Sequence, residues 1–422
     1  MKNEKKKIFV YADWEKFAVP ALMGVLSVDF LRGKEIFSFE YANEWLQTNN
    51  TQMLDPDLGL YSGAQYVRDE KTNFGLFLDT SPDRWGRVLM KRREALCAKQ
   101  EKRPVRTLLE TDFLLGVYDL HRMGALRFKT ALTGDFLDNN KEFATPPWTS
   151  IRELEYASLE LEKNIELDNP DLLQWLNILI TPGSSLGGAR PKASVQHTDG
   201  SLWIAKFPSN NDDADTGAWE LVVNDLATKV GITTAEATIK KFNSKHHTYL
   251  TKRFDRTANG KRIHFSSAMT LLGYTDGASA ENGVSYLELA AFITQNGAYV
   301  KDDLVELFRR IVFSIAVSNT DDHLRNHGFL LTKQGWKLSP AYDVNPNPYG
   351  TGLKLNISED DNSLDFGVAQ SVAPYFRLQE KEAVRIIENT KSVVSKWEEA
   401  AAKYQIPKSE REMMRGAFER VL

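Results

Sequence analysis

The stretch from Asp303 to Asp343 limits what this chain can fold into more than any other. Leu304, Leu307, Phe308, Ile311, Val312 and Ile315 recur at helical spacing, which predicts a buried helix. It runs into NTDDHLRNH, a short segment dense in polar and ionisable side chains. GFLLT and WKLSP then read as two strands around the turn KQG, and the second delivers AYDVNPNP.

Helix, polar loop, hairpin, aspartate is the order in which a kinase presents its catalytic loop and its metal-binding aspartate. In that loop an Asp is followed by four residues and an Asn, the spacing of Asp321 and Asn326. One loop must do two jobs: Asp321 accepts the proton of the attacking hydroxyl, while the Asn326 amide oxygen turns to a magnesium ion. Asp343 supplies a further charged oxygen to the same magnesium on the phosphates of ATP. Asp and Asn also favour turns on their own account, so placement, not composition, carries the reading. Asp322 is a rival for the base. His323 and His327, four residues apart beside two carboxylates, raise a zinc site as an alternative; otherwise His323 orients the loop and His327 begins the hairpin.

A second group of residues suits phosphate contacts. Lys206 ends the strand pattern LWIAKF, and a helix pattern carrying Glu220 follows, as in the lysine–glutamate pair of kinases. Read alone, Lys206 is equally a surface lysine at a strand end. The loop GSSLGGARPK offers Gly183, Gly187 and Gly188 for close backbone approach to phosphate oxygens. Gly183 and Gly188 have P-loop spacing, but Ala189 and Arg190 stand where Lys and Ser or Thr belong. Ser184 and Ser185 are exposed-hydroxyl candidates there, and a phosphate on either would place negative charge where ATP must approach.

A chain of 422 residues exceeds one compact core and predicts two or three domains. Lys+Arg of 53 against Asp+Glu of 57 excludes an evenly basic nucleic-acid-binding surface, though not a local basic patch. Cys97 is the single cysteine, so no intrachain disulfide forms, and with no apolar run of signal-peptide or membrane-span length a cytoplasmic protein is expected. Ile8 to Tyr11 and Ala21 to Val28 read as strands. Pro82 to Lys102 reads as a helix with Val88, Leu89 and Leu96 inward, crowded by Arg84, Arg87, Lys91, Arg92 and Arg93 on a face expected to be solvated. Turn residues and two prolines in GDFLDNNKEFATPPWTS suggest a linker, ended by a capping box from Ser150 to Glu153. The expected divisions are 1–134, a linker at 135–149, a sheet-containing 150–266 and a helical 267–422.

The segments SSLGGARPKA, IAKFP, TKRFDR, NTDDHLRN and LSPAYDV, collinear from Gly183 to Val344, resemble the HipA family of bacterial serine/threonine kinases, toxins of toxin–antitoxin pairs. SPDRWGRVLMKR and MGALRF extend a weaker similarity through the N-terminal part. The resemblance implies an α+β, two-lobed protein-kinase-like fold: a small sheet-containing N-lobe, a mostly helical C-lobe and an additional N-terminal α/β subdomain. It implies Asp321 as catalytic base, Asn326 and Asp343 as magnesium ligands, and Lys206, paired with Glu220, on the ATP phosphates. Gly187, Gly188, Ala189, Arg190 and Lys192 would form the phosphate loop, Lys252, Arg253 and Phe254 the adenine hinge, with His323, Arg325 and Tyr342 lining the nucleotide. Ser185, or its neighbour Ser184, would be autophosphorylated. The implied partners are a small helix-turn-helix antitoxin, operator DNA through that complex, and a translation protein such as an aminoacyl-tRNA synthetase as substrate. Asp343 is followed by Val344 and Asn345, not Phe and Gly, which argues against activation-loop control of the eukaryotic type.

Overall fold

The computed structural model describes residues 5–48, 52–68, 71–140, 146–163, 175, 176, 179 and 190–422. They form two compact units, Met1–Asn210 with Asp255–Thr275, and Asn211–Phe254 with Asp276–Leu422. These units cut the chain at other points than the divisions expected from sequence.

In the first unit, β1 (Lys6–Ala12), β2 (Ala21–Leu31), β3 (Lys34–Tyr41), β4 (Gln65–Tyr66) and β5 (Leu126–Lys129) form one sheet in the order β4-β3-β2-β1-β5. Alternation sets its faces: Ile8, Val10 and Ala12 of β1 are fully buried while the residues between them are not. The expected linker is partly folded onto this sheet. Leu137 bridges Phe128 of β5, and the Phe136 ring meets Tyr11 edge-on at 5.3 Å beneath the Arg127 guanidinium.

The basic helix spans Arg84–Gln100, with the Asp83 carboxylate capping the Gly86 N–H. Leu89 and Leu96 are buried as expected, but Val88 is exposed, because the inward stripe passes through Trp85 and Leu89 instead. Its arginines are not simply solvated. Arg87 grips Glu110 with two bonds of 2.6 and 2.8 Å and lies over Phe113, and Arg92 donates to the Leu161 carbonyl at 2.6 Å. The capping box at Ser150 does not form. A 3-10 turn, Trp148–Ser150, already holds Ser150 at φ −82°, ψ −3°, so its hydroxyl cannot adopt the extended cap geometry before the helix Ile151–Glu162. Strands β6 (Lys192–Gln196) and β7 (Leu202–Lys206) complete the unit as an antiparallel pair with Lys192 opposite Lys206.

In the second unit, β8 (Ala237–Lys241) and β9 (His247–Lys252) pair antiparallel, with Ile239 opposite Tyr249. The helix Thr216–Lys229 is stopped by Gly231 at φ 88° and buries Val222, Leu226 and Val230. These join a core with Phe313, Trp397, Ala401 and Phe418. The helix Val300–Ala316 is almost wholly buried, and the hairpin Gly328–Thr332 with Gly335–Leu338 follows it as expected. Asp303 joins the two by accepting the Leu338 N–H at 3.0 Å.

Candidate functional site

The loop 317–327 starts where the buried helix Val300–Ala316 runs out. Ser318 turns into the left-handed region at φ 50°, its hydroxyl donating to the Ala417 carbonyl. Three contacts then stitch this loop to the segment around Asp343. The Asn345 N–H donates to Asn319 Oδ1 at 3.1 Å, Asn347 Nδ2 to Thr320 Oγ1 at 2.7 Å, and the Tyr342 hydroxyl to the Arg325 carbonyl at 2.6 Å. The segment of Asp343 is thereby held against the loop that carries Asp321 and Asn326. Asn319, Thr320, Asn345 and Asn347 were not singled out from sequence, because Asn and Thr in a loop carry no mark of a long-range partner.

The two adjacent aspartates have opposite surroundings. Asp321 is exposed. Asp322 is 4% exposed and taken up inside: Tyr286 donates to it at 2.6 Å and Ser314 at 3.3 Å. His327 Nε2 stands 3.0 Å from Asp322 Oδ1. Burial pushes the Asp322 carboxyl up, but His327, the Tyr286 hydroxyl and His323 together hold it below the usual range. Asp322 is a support of the loop. His323 likewise braces the loop, its N–H on the Asp321 carbonyl at 2.9 Å and its carbonyl receiving Asn326 N–H at 2.8 Å.

Asn326 is 4% exposed, and its Nδ2 donates to the Asp321 carbonyl at 3.1 Å. Its Oδ1 is buried with no hydrogen-bond partner. A buried amide oxygen left open in this way costs free energy unless a cation or donor meets it. An amide oxygen of this kind and a carboxylate such as that of Asp343 would be hard oxygen donors of the type magnesium takes. Among the described residues no group of three or more His, Cys, Asp or Glu side chains could hold a metal ion.

The remaining expected residues fall as follows. Ser184, Ser185, Gly187, Gly188 and Ala189 lie outside the described residues. Lys192 is buried in an ion pair with Asp83 at 2.8 Å, so its ammonium has a carboxylate of the chain itself as partner. That pairing also offsets the like charge of Lys206 directly across the hairpin. Lys206 and Arg190 are half-buried, and Glu220 is 6% exposed. At the expected hinge, Lys252 spends its N–H on the Glu236 carbonyl at 2.8 Å, so that group is not open to a purine. Arg253 is buried, and the Phe254 ring lies 5.6 Å from that of Tyr342. Arg325 pairs with Asp276 at 3.1 Å.

Residues 184–397, half of the chain, match the family of HipA-like C-terminal domains. The chain belongs to the HipA family. A putative kinase of Haemophilus influenzae is 35% identical over 114 residues, covering 25% of this chain and 33% of that protein. Putative kinase Y4mE of Sinorhizobium fredii is 28% identical over 182 residues, covering 38% of this chain and 41% of that protein. The chain thus spans a third to two fifths of the length of these curated relatives. The structure of HipA from the Shewanella oneidensis MR-1 toxin–antitoxin system, solved with HipB and operator DNA, matches with a TM-score of 0.62 at 16% identity. That match covers 98% of this chain and 96% of the other. This HipA-family chain therefore has the same α+β, kinase-like fold. Among its described residues no helix is long and apolar enough to cross a membrane.

Proposed function

We propose that this HipA-family chain is an ATP-dependent serine/threonine protein kinase, the toxin of a toxin–antitoxin pair. The observation that carries the reading is the buried, unpartnered Asn326 Oδ1 beside an exposed Asp321, on a loop stitched to the segment of Asp343. A magnesium ion held by Asn326 and Asp343 would draw charge from the phosphates of ATP. Asp321 takes the proton of the acceptor hydroxyl as its oxygen bonds to the γ-phosphorus; the bond to the bridging oxygen breaks, and ADP leaves. Asp322, buried and held by Tyr286, Ser314 and His327, faces inward and instead keeps the loop in shape.

The antitoxin and DNA partners belong to this proposal. HipA of Shewanella oneidensis MR-1 was solved with HipB and its operator, and a shared fold makes a small helix-turn-helix protein the first partner to seek. Autophosphorylation at Ser185 or Ser184, a translation protein as substrate, and a cytoplasmic location are part of the same reading.

The test is transfer from γ-labelled ATP by the purified full chain. Label should appear on the chain or on a protein acceptor, and Asp321→Gln should abolish it while nucleotide binding persists, because phosphate contacts remain when the base is removed. Undiminished labelling in that variant would overturn the choice of base. Absence of both transfer and nucleotide binding in the wild type would instead favour a non-catalytic DNA-corepressor module, and label passing only to a metabolite would favour a small-molecule kinase.

A further inference from the structure

The turn Arg415–Val421 is a short 3-10 helix, in which residues three apart lie one above the other. Phe418 is fully buried and stacks on Trp397 at 4.5 Å, which fixes how the turn is rotated about its axis. Ala417 and Arg420, three apart, share another side of it, and both meet Ser318. The Ser318 hydroxyl donates to the Ala417 carbonyl at 2.8 Å and accepts from Arg420 Nη1 at 2.9 Å. One hydroxyl is thus engaged as donor and as acceptor by a single turn. The same turn lies against the segment that follows Asp343: a Cβ at Gly416 would stand 2.8 Å from the Pro348 carbonyl oxygen.

Ser318 stands at φ 50°, a left-handed conformation that costs a serine free energy and persists only where the surroundings hold it. From it the chain leaves the buried helix Val300–Ala316 and turns toward Asp321. The Ser318 carbonyl accepts the Thr320 N–H at 2.9 Å and the Asn347 N–H at 3.2 Å. The aim of this one peptide group therefore sets both the loop of Asp321 and its joint with the segment after Asp343. We infer that Arg420 is a positioning residue for the proposed phosphotransfer: its guanidinium holds Ser318 in the left-handed turn and so fixes where Asp321 stands. A solvated surface arginine would also be half-buried at times, but it would not spend its fork on the hydroxyl of a strained residue one step from the active loop. Arg420 also lines an open groove of about 460 Å³ beside Phe366, Gln370 and Lys391, so its guanidinium stands at an opening to solvent.

The inference rests on the reading of Asp321 as the base, and two measurements on the full chain keep the two apart. Amide hydrogen exchange is followed in wild type, Arg420→Ala and Arg420→Lys, together with label transfer from γ-labelled ATP to dephosphorylated casein. In Arg420→Ala the Thr320 and Asn347 amides should exchange roughly tenfold faster, the scale of one lost hydrogen bond from a charged donor, while the helix Val300–Ala316 stays protected. Its kcat should fall about 10–100-fold, as expected of a reacting group held slightly out of place, with KM for ATP unchanged. Arg420→Lys, which keeps a donor, should retain most of both. Methylguanidinium, entering through the groove, should restore part of the kcat of Arg420→Ala and leave the wild type unaffected. If Arg420→Ala melts at a lower temperature, Arg420→Met, which keeps the apolar stem without the donors, carries both measurements. Exchange and kcat that match the wild type would overturn the role of Arg420. So would a fall in kcat with unchanged exchange and no restoration by methylguanidinium. A wild type that transfers no label would overturn the kinase reading, and exchange at Thr320 and Asn347 then decides by itself, for or against, whether Arg420 holds Ser318.

Discussion

Asp343 sits at φ 56°, in the left-handed region that most side chains avoid and that Asp and Asn tolerate best. Its carboxylate is steadied by Asn345 Nδ2 at 3.3 Å. Two substitutions should therefore separate backbone from charge. Asp343→Asn keeps a residue suited to this conformation and should melt like the wild type, yet lose magnesium-dependent nucleotide binding. Asp343→Ala loses the charge and adds about 1–2 kcal/mol of backbone strain, so it should also melt lower. Thermal melts with a magnesium titration check both, and normal magnesium dependence in Asp343→Asn would remove Asp343 from the metal site. The aspartate pair gives a second contrast. Asp321→Gln should leave stability unchanged, whereas Asp322→Asn should lower it by about 1–3 kcal/mol, since it weakens a buried group with three partners. Equal melting of the two variants would refute the division of labour between these neighbours, of which the spacing to Asn326 already favoured Asp321 as the base.

Two joints between elements of the second unit depend, one on pH and the other on shape. Burial lifts the Asp303 carboxyl from 3.8 to about 6, against the opposing pull of the Leu338 N–H. The folded chain thus binds this proton more tightly than the unfolded chain does. The stability it contributes is complete below the unfolded value, is lost as pH rises from about 4 to about 6, and stays flat beyond. Asp303→Asn should flatten that part of the stability curve, read as denaturant midpoints across the same window. An unchanged slope would show that the group carries no such linkage. Shape governs the other joint. Gly217→Ala places a methyl 2.3 Å from the His247 carbonyl, and forcing helix and strand apart should cost about 1–3 kcal/mol. It should also weaken nucleotide binding if Glu220 depends on that seat.

At the scale of the whole molecule, the end of the chain closes the core of the second unit. Trp397 stacks on Phe418 at 4.5 Å and an interplanar angle of 8°, and Trp219 lies within 6.1 Å of both. Glu410 accepts from the Trp219 indole and from the Asp215 N–H, both at 2.8 Å. The Glu220 helix is thus clasped by residues nearly two hundred positions later. Trp397→Ala should cost about 3–5 kcal/mol, the usual range for deleting a fully buried large aromatic. Chemical denaturation of the full chain measures it, and a loss below about 1 kcal/mol would mean that the stack is not part of the folded core.

Local pattern determined the buried helix Val300–Ala316, the hairpin after it, the first two strands of the N-terminal sheet and the spacing of Asp321 to Asn326, because periodicity and loop spacing are properties of adjacent residues. Only the folded chain decided which aspartate faces outward, that Asn326 Oδ1 is left open, that Lys192 goes to Asp83, and that Tyr249 meets the Glu220 helix. Each of these depends on partners tens to hundreds of residues away, and burial, which gives a polar atom its chemistry, is set by packing that no short window of sequence contains.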